Sequence, residues 1–432
     1  MVVEIIIIIF SIVVFIDFFS KIGKTIPLLE LLITLVTCYY LIFPLILFNN
    51  DIHKISDSAL NFIGQDVYFL LMTPTIISFF VGVKISKYNK IDFLKDDNKI
   101  KIYFEKKSKL IYVCLLIGFL AKFLSFIYVN YFITILTYFI FLSLTMLPYS
   151  NIKYKNTLSI FLILYLFIEA LQSTVLHSFL IWMIIFYLIF AKCNKIYFLK
   201  TFFYTILFLF FIITSNFIKT TFRDQNELKN ENLIAKISNY GTLIKKSLPI
   251  INENKDIIIY SLISRLSLGD TFAKTISRVP NSISYFNGKL LFEYFWNSFY
   301  LNNIYELNTE IKNGEKLRLT DIDKFYFQYF TLEQLNDETT VNLSFIESFY
   351  IDFGKVFSIL AITIYGFLLG NIYYFFSNKL NIIFFVFFLF LLFPIYLQIE
   401  VGMQQVTNYT IKFLLFFLFF KAIIIKFYSK YV

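Results

Sequence analysis

Only four of the 39 basic residues in this 432-residue chain are arginine, and Arg223, Arg265, Arg278 and Arg318 all fall between positions 216 and 342. Arginine carries a permanent charge on a planar fork that grips phosphate oxygens two at a time, which the point charge of lysine does not. In a chain whose default cation is lysine, four arginines confined to one polar stretch point to a phosphate-bearing ligand. Chance placement in the longest polar segment is the plainer alternative. Arg265 and Arg278 stand 13 residues apart in SRLSLGDTFAKTISRVP, which on a straight helix sets them about 140° apart. They share a ligand only if the chain bends, and Gly269 is the natural place. Arg223 also reads as a membrane-edge anchor, and Arg318, in KNGEKLRLTDID, as a solvated loop residue.

Carboxylates able to take a proton from a hydroxyl come next. Glu347 and Asp352 lie in SFIESFYIDFGK and Glu400 in QIEVGMQQ. Lys122 and Glu169 interrupt apolar runs, where charge is costly and functional by default, and they are candidates to pair. His53 and His177 are isolated, with no neighbouring ligand pattern, so no metal site is expected. No phosphate-binding glycine loop, dinucleotide fingerprint or nucleophile elbow is present, which argues against ATP hydrolysis.

These residues are positioned by a membrane. The composition is 58% hydrophobic and 21% aromatic with a mean hydropathy of +0.72, outside the soluble globular range. Spans are expected near 2–19, 26–48, 66–83, 111–129, 131–148, 157–170, 176–191, 201–217, 355–376, 382–398 and 410–426, eleven in all. The run from Val2 lacks a basic leader and a small-residue cleavage site, so it reads as a first span. Cys38, Cys114 and Cys193 lie in or beside apolar runs and make no disulfide framework. The fold class is thus an all-α polytopic membrane protein. Its expected divisions are a bundle of about eight spans over 1–215, a polar loop over 216–342 and a bundle of about three spans over 343–432.

Charge sets the expected orientation. The loop holds 15 basic and 15 acidic residues, leaving 24 Lys against 14 Asp and Glu elsewhere. Nine of those lysines crowd the connection 84–109, which marks that side as cytoplasmic. With alternating spans, 20 of the 24 lysines fall on that side, the N-terminus and the long loop outside, and the C-terminus inside. The basic excess is therefore a topology signal, and a nucleic-acid partner is not expected. Within the loop, Phe272, Ile276 and Val279 before Pro280, and the aromatic stretch 290–300, read as amphipathic helices lying on or dipping into the outer interface.

In its order of elements the chain resembles the O-antigen polymerases, the Wzy-type enzymes of the bacterial inner membrane. The resemblance rests on 264–280, similar to the arginine-bearing start of that family's large periplasmic loop, and on 344–370, with Glu347, Phe353 and Gly354 at matching places. Two features depart from the family. QSTVLHS lacks an arginine many relatives carry, and NGKLLFEYFWNSF lacks an expected proline. The resemblance implies a membrane-embedded, class C-like glycosyltransferase working on undecaprenyl-diphosphate-linked oligosaccharides without a cofactor. It implies Arg265 and Arg278 on the diphosphate, Arg223 in support and Glu347 as base, with Glu400 and Lys122 as further substrate contacts. A chain-length regulator and a flippase are the implied partners, besides membrane lipids. The nearest rival enzyme is an O-antigen ligase, but ligases usually carry a histidine in the outer loop, and residues 216–342 contain none. A lipid-linked oligosaccharide flippase is the rival from another class, though it has little use for so large an outer loop.

Overall fold

The computed structural model describes residues 2–49, 60, 63–90, 93–125, 133, 136–173, 176–194, 267–281, 284–299, 343–379, 386, 388, 392–397 and 402–428. Among these there is no β-strand, only a single bridge between Ile22 and Thr25 in a turn. The helices in chain order are α1 (Val2–Lys21), α2 (Leu28–Asn49), α3 (Gln65–Ile85), α4 (Phe93–Lys106), α5 (Lys109–Ser125), α6 (Phe139–Met146), α7 (Lys155–Ser173) and α8 (Leu176–Cys193). They continue with α9 (Gly269–Arg278), α10 (Lys289–Asn297), α11 (Phe345–Lys379), α12 (Phe393–Leu397) and α13 (Met403–Tyr428).

Among the described residues four helices are long and apolar enough to cross a membrane: α1, α2, α3 and the Phe345–Ser377 part of α11. The count is five if Ile100–Lys106 and Lys109–Ser125, bent by 84° from each other, make one span. Their apolar residues are not all inside. Val356, Leu360, Ile364 and Leu368 recur every four positions along α11 and are all exposed, as are Ile5, Ile9, Ile12 and Ile16 on α1. Apolar stripes of this length facing outward are the surface of a membrane protein, where lipid replaces water. The spans expected at 2–19, 26–48 and 66–83 coincide with α1, α2 and α3. The one expected at 201–217 lies outside the described residues, as does most of 382–398.

Small residues let α3 and α11 approach closely. Gly366 and Gly370, four apart and so on one face of α11, meet Phe79 of α3 and Ser86 just after it, while Gly82 of α3 meets the Thr363 carbonyl. A Cβ at Gly366 would come within 2.6 Å of the Phe79 carbonyl oxygen, too close for any side chain. In lipid, where apolar burial between helices gains little, such backbone proximity is a principal source of helix association.

At the end of the bundle where α1 and α3 stop, charges are paired. Glu30 of α2, 2% exposed, accepts from Lys21 at 2.5 Å and from the Tyr88 hydroxyl at 2.7 Å. Asp17 of α1 bonds Lys21 at 3.1 Å and Lys84 of α3 at 2.7 Å. Burial, followed by the nearby Glu30 carboxylate, pushes the Tyr88 phenol well above its ordinary pKa, so it remains a donor. Each carboxylate in this cluster has a cation within reach, the condition on which buried charge is tolerated.

Candidate functional site

Residues 267–281 are docked into the bundle through a defect in α2. Residues Cys38–Ile42 form a π-helical turn, and Pro44 follows. Proline has no N–H to return to the carbonyl four or five residues earlier. Those two carbonyls find other donors: the Tyr39 oxygen accepts the Leu268 N–H at 3.3 Å, and the Tyr40 oxygen accepts the Tyr68 hydroxyl at 3.0 Å. Gly269, the first residue of α9, packs on the Pro44 ring, where a Cβ would lie 2.7 Å from Cγ. Helix α9 then buries Phe272, Ala273 and Ile276, with Val279 buried at its end. The Phe272 ring lies edge-on to Tyr350 of α11 at 5.3 Å. Pro280 follows, and Arg278 occupies the last turn, where a cation complements the helix dipole.

Helix α11 breaks at Gly354, whose φ of 72° and ψ of −173° are open essentially to glycine alone. The Tyr285 ring covers this glycine, 2.8 Å from where a Cβ would stand. Just before the break, the carbonyls of Ile351 and Asp352 accept the N–H groups of Phe286 at 3.1 Å and Asn287 at 2.8 Å. The Asp352 carboxylate, fully buried, accepts the N–H groups of Leu290 at 3.1 Å and Leu291 at 2.9 Å. Two of the four unpaired amides at the start of α10 are thereby satisfied from a distant element. Asp352, expected as a possible proton acceptor, holds α10 in place through these bonds. That helix buries Leu290 and Tyr294 and exposes Phe292, Phe295 and Trp296, with Phe299 exposed just after it, an aromatic face of the interfacial kind expected for 290–300.

Glu347 is 1% exposed. Its Oε2 accepts the Ser344 N–H at 2.8 Å, and the Ser344 hydroxyl accepts the Glu347 N–H at 3.3 Å, a reciprocal capping box at the start of α11. The second oxygen, Oε1, makes no hydrogen bond. An orphaned carboxylate oxygen in a buried place is costly, and rare enough to ask for a reason. Thr271 of α9 is a neighbouring side chain, but its hydroxyl donates to the Leu268 carbonyl at 2.9 Å. Arg278 lies seven residues beyond Thr271, hence on the same face and about 10 Å further along the axis. It is half-buried, and among the described residues its guanidinium makes no ion pair or hydrogen bond. The Val279 carbonyl beside it accepts the Tyr350 hydroxyl at 2.9 Å. One unit, α9 against the first turns of α11, thus presents an unsatisfied cation and an unsatisfied carboxylate oxygen.

The other sequence candidates lie apart from this unit. Lys122 of α5 bonds Glu169 of α7, the pairing their types and depth suggested, with about 30% of each side chain exposed (29% and 31%). Arg223, Arg265, Arg318, Glu400 and His53 lie outside the described residues. Among the described residues no group of three or more His, Cys, Asp or Glu is placed to hold a metal ion. Sequence reasoning missed Asp17 and Glu30, although a lone acid within FIDFF and LLELL is the same signal that singled out Lys122. No known protein family, curated protein or solved structure matches this chain.

Proposed function

We propose that this chain is an O-antigen polymerase of the Wzy type, an eleven-span enzyme of the bacterial inner membrane with its long loop in the periplasm. The observation that supports this reading best is the pairing, on one docked unit, of Arg278 without a counter-ion and Glu347 with an oxygen left over. Polymerisation needs these two things. The growing glycan on undecaprenyl diphosphate is the donor, and the non-reducing sugar of a new lipid-linked unit is the acceptor. The acceptor hydroxyl oxygen bonds to the anomeric carbon, whose bond to the diphosphate oxygen breaks, and the hydroxyl proton passes to Glu347. The electron pair leaves with undecaprenyl diphosphate, whose charge Arg278 and Arg265 stabilise in place of a metal ion, with Arg223 in support. Glu400 and Lys122 are proposed as outlying substrate contacts. The chain-length regulator and the flippase remain the proposed partners.

Surface lipopolysaccharide from a deletion strain tests this. The strain is complemented with wild type, Arg278→Ala, Arg265→Ala or Glu347→Gln at equal expression and run on a gel. Core bearing a single repeat unit in the deletion, with no ladder restored by the variants, is the expected result. Loss of all O-antigen from the core would turn the reading to the ligase or the flippase.

A further inference from the structure

A cavity lies at the other end of the bundle, on the lysine-rich face, lined by residues remote in the fold from Arg278 and Glu347. Its volume is about 1090 Å³. Four lysines from four separate segments converge on it: Lys24 from the turn after α1, Lys101 from α4, Lys155 from the start of α7 and Lys192 from the end of α8. Among the described residues, Glu105 is the one carboxylate that lines it. It stands 3.9 Å from Lys101. The positive-inside tendency accounts for lysines on this face. It does not account for their meeting around one cavity.

The frame of the cavity is built. Lys192, only 9% exposed, donates to the Lys24 carbonyl and so ties α8 to the turn after α1. Lys155 donates to the carbonyls of Pro148 at 3.3 Å and Ser150 at 3.1 Å, and fastens α7 to the preceding loop. An ammonium has three N–H donors, so Lys155 keeps one to offer. Lys24 and Lys101 are exposed at the mouth. The first turn of α7 also opens here through Asn156 and Ser159, adding the positive end of a helix dipole.

One wall is apolar. Ile160 and Ile163 of α7 and Phe186 and Phe190 of α8 line it, and Ile160 and Phe190 are 60% and 38% exposed. A soluble phosphate has no use for such a wall, whereas a phospholipid has an acyl chain to lay along it. We propose that this cavity binds an anionic phospholipid of the lysine-rich leaflet, its headgroup phosphate among Lys24, Lys101, Lys155 and Lys192 and its chain against the wall formed by α7 and α8. The combination is that of basic pockets between membrane helices that take phosphate headgroups. The inference does not depend on the proposed polymerase activity.

The test uses the whole protein, delipidated in detergent, with thermal unfolding and native mass spectrometry as readouts. Cardiolipin or phosphatidylglycerol should raise the melting temperature and stay bound, and phosphatidylethanolamine should do neither. Removing Lys24 and Lys101 together (Lys24→Gln, Lys101→Gln), both exposed and so dispensable for folding, should weaken binding about five-fold for each lysine. Lys24→Arg with Lys101→Arg should retain it. Equal response to phosphatidylethanolamine, or no loss of binding in the double glutamine variant, would overturn the proposal. So would an equal rise in melting temperature from inorganic phosphate alone, since that would assign the site to a soluble anion.

Discussion

Glu347 and Asp352 sit five residues apart on one helical segment, yet the backbone around them divides their work. Asp352 has both oxygens on amides of α10, whereas Glu347 has one on Ser344 and one unbonded. Asp352→Ala should therefore act on stability: two buried N–H groups lose their acceptor, at about 1–3 kcal/mol each. A fall in the melting temperature of the purified protein checks this. Glu347→Gln keeps the volume and an acceptor for Ser344, so it should leave folding nearly intact and remove activity. The ion pair in the membrane has a different signature. Lys122→Met alone leaves Glu169 charged without its partner and should destabilise, while Lys122→Met with Glu169→Leu should recover much of the loss. A double-mutant cycle on melting temperature measures that recovery. At this scale the sequence was partly legible. Charges inside apolar runs announce a partner, but not which one, since partners such as Lys84 and Asp17 are 67 positions apart. Ser344 and Glu347 have the S-x-x-E spacing of a capping box, so their position alone does not distinguish a cap from a base.

Helices here are shaped by the residues that interrupt them. Pro44 withholds a donor and so creates the docking point for α9, and Gly354 turns α11 so that the strap at 285–288 can bond to it. Gly354→Ala should cost about 1–3 kcal/mol from its dihedral angles alone. It also drives a methyl group into Tyr285, so the loop unit should loosen. Faster proteolysis between residues 281 and 343, with the rest of the bundle intact, is the expected reading. Gly366→Leu, in contrast, separates α3 from α11 and should abolish folded protein in detergent, as judged by size-exclusion profile. Apolar run length made α1, α2 and α3 legible in the sequence. The span expected from 355 starts where α11 resumes after the break at Gly354, and the residues before the break form a helical segment whose acidic side chains are taken up by caps. The strap and the α10 cap were illegible, because they join residues about 60 apart through backbone amides that leave no mark on residue type.

Across the whole molecule, the two ends of the bundle carry different chemistry. One end, with α9, α10 and the first turns of α11, holds an arginine and a carboxylate oxygen that nothing in the described structure satisfies. The other gathers lysines around a cavity and pairs Asp17 and Glu30 with cations. Lysine bias made this polarity legible in sequence, since it places charge relative to the membrane without any knowledge of packing. The convergence of Lys24, Lys101, Lys155 and Lys192 was not legible, because it depends on which helices are neighbours. The central claim is that the first end transfers glycan between lipid carriers, and reconstitution measures this most directly. Purified protein in proteoliposomes would be given lipid-linked oligosaccharide extracted from the deletion strain, and the glycan products resolved by size. The account predicts a ladder with release of undecaprenyl diphosphate from wild type, and only the starting unit from Arg278→Ala. A ladder of equal length and rate from Arg278→Ala, or no extension by folded wild type, would contradict it.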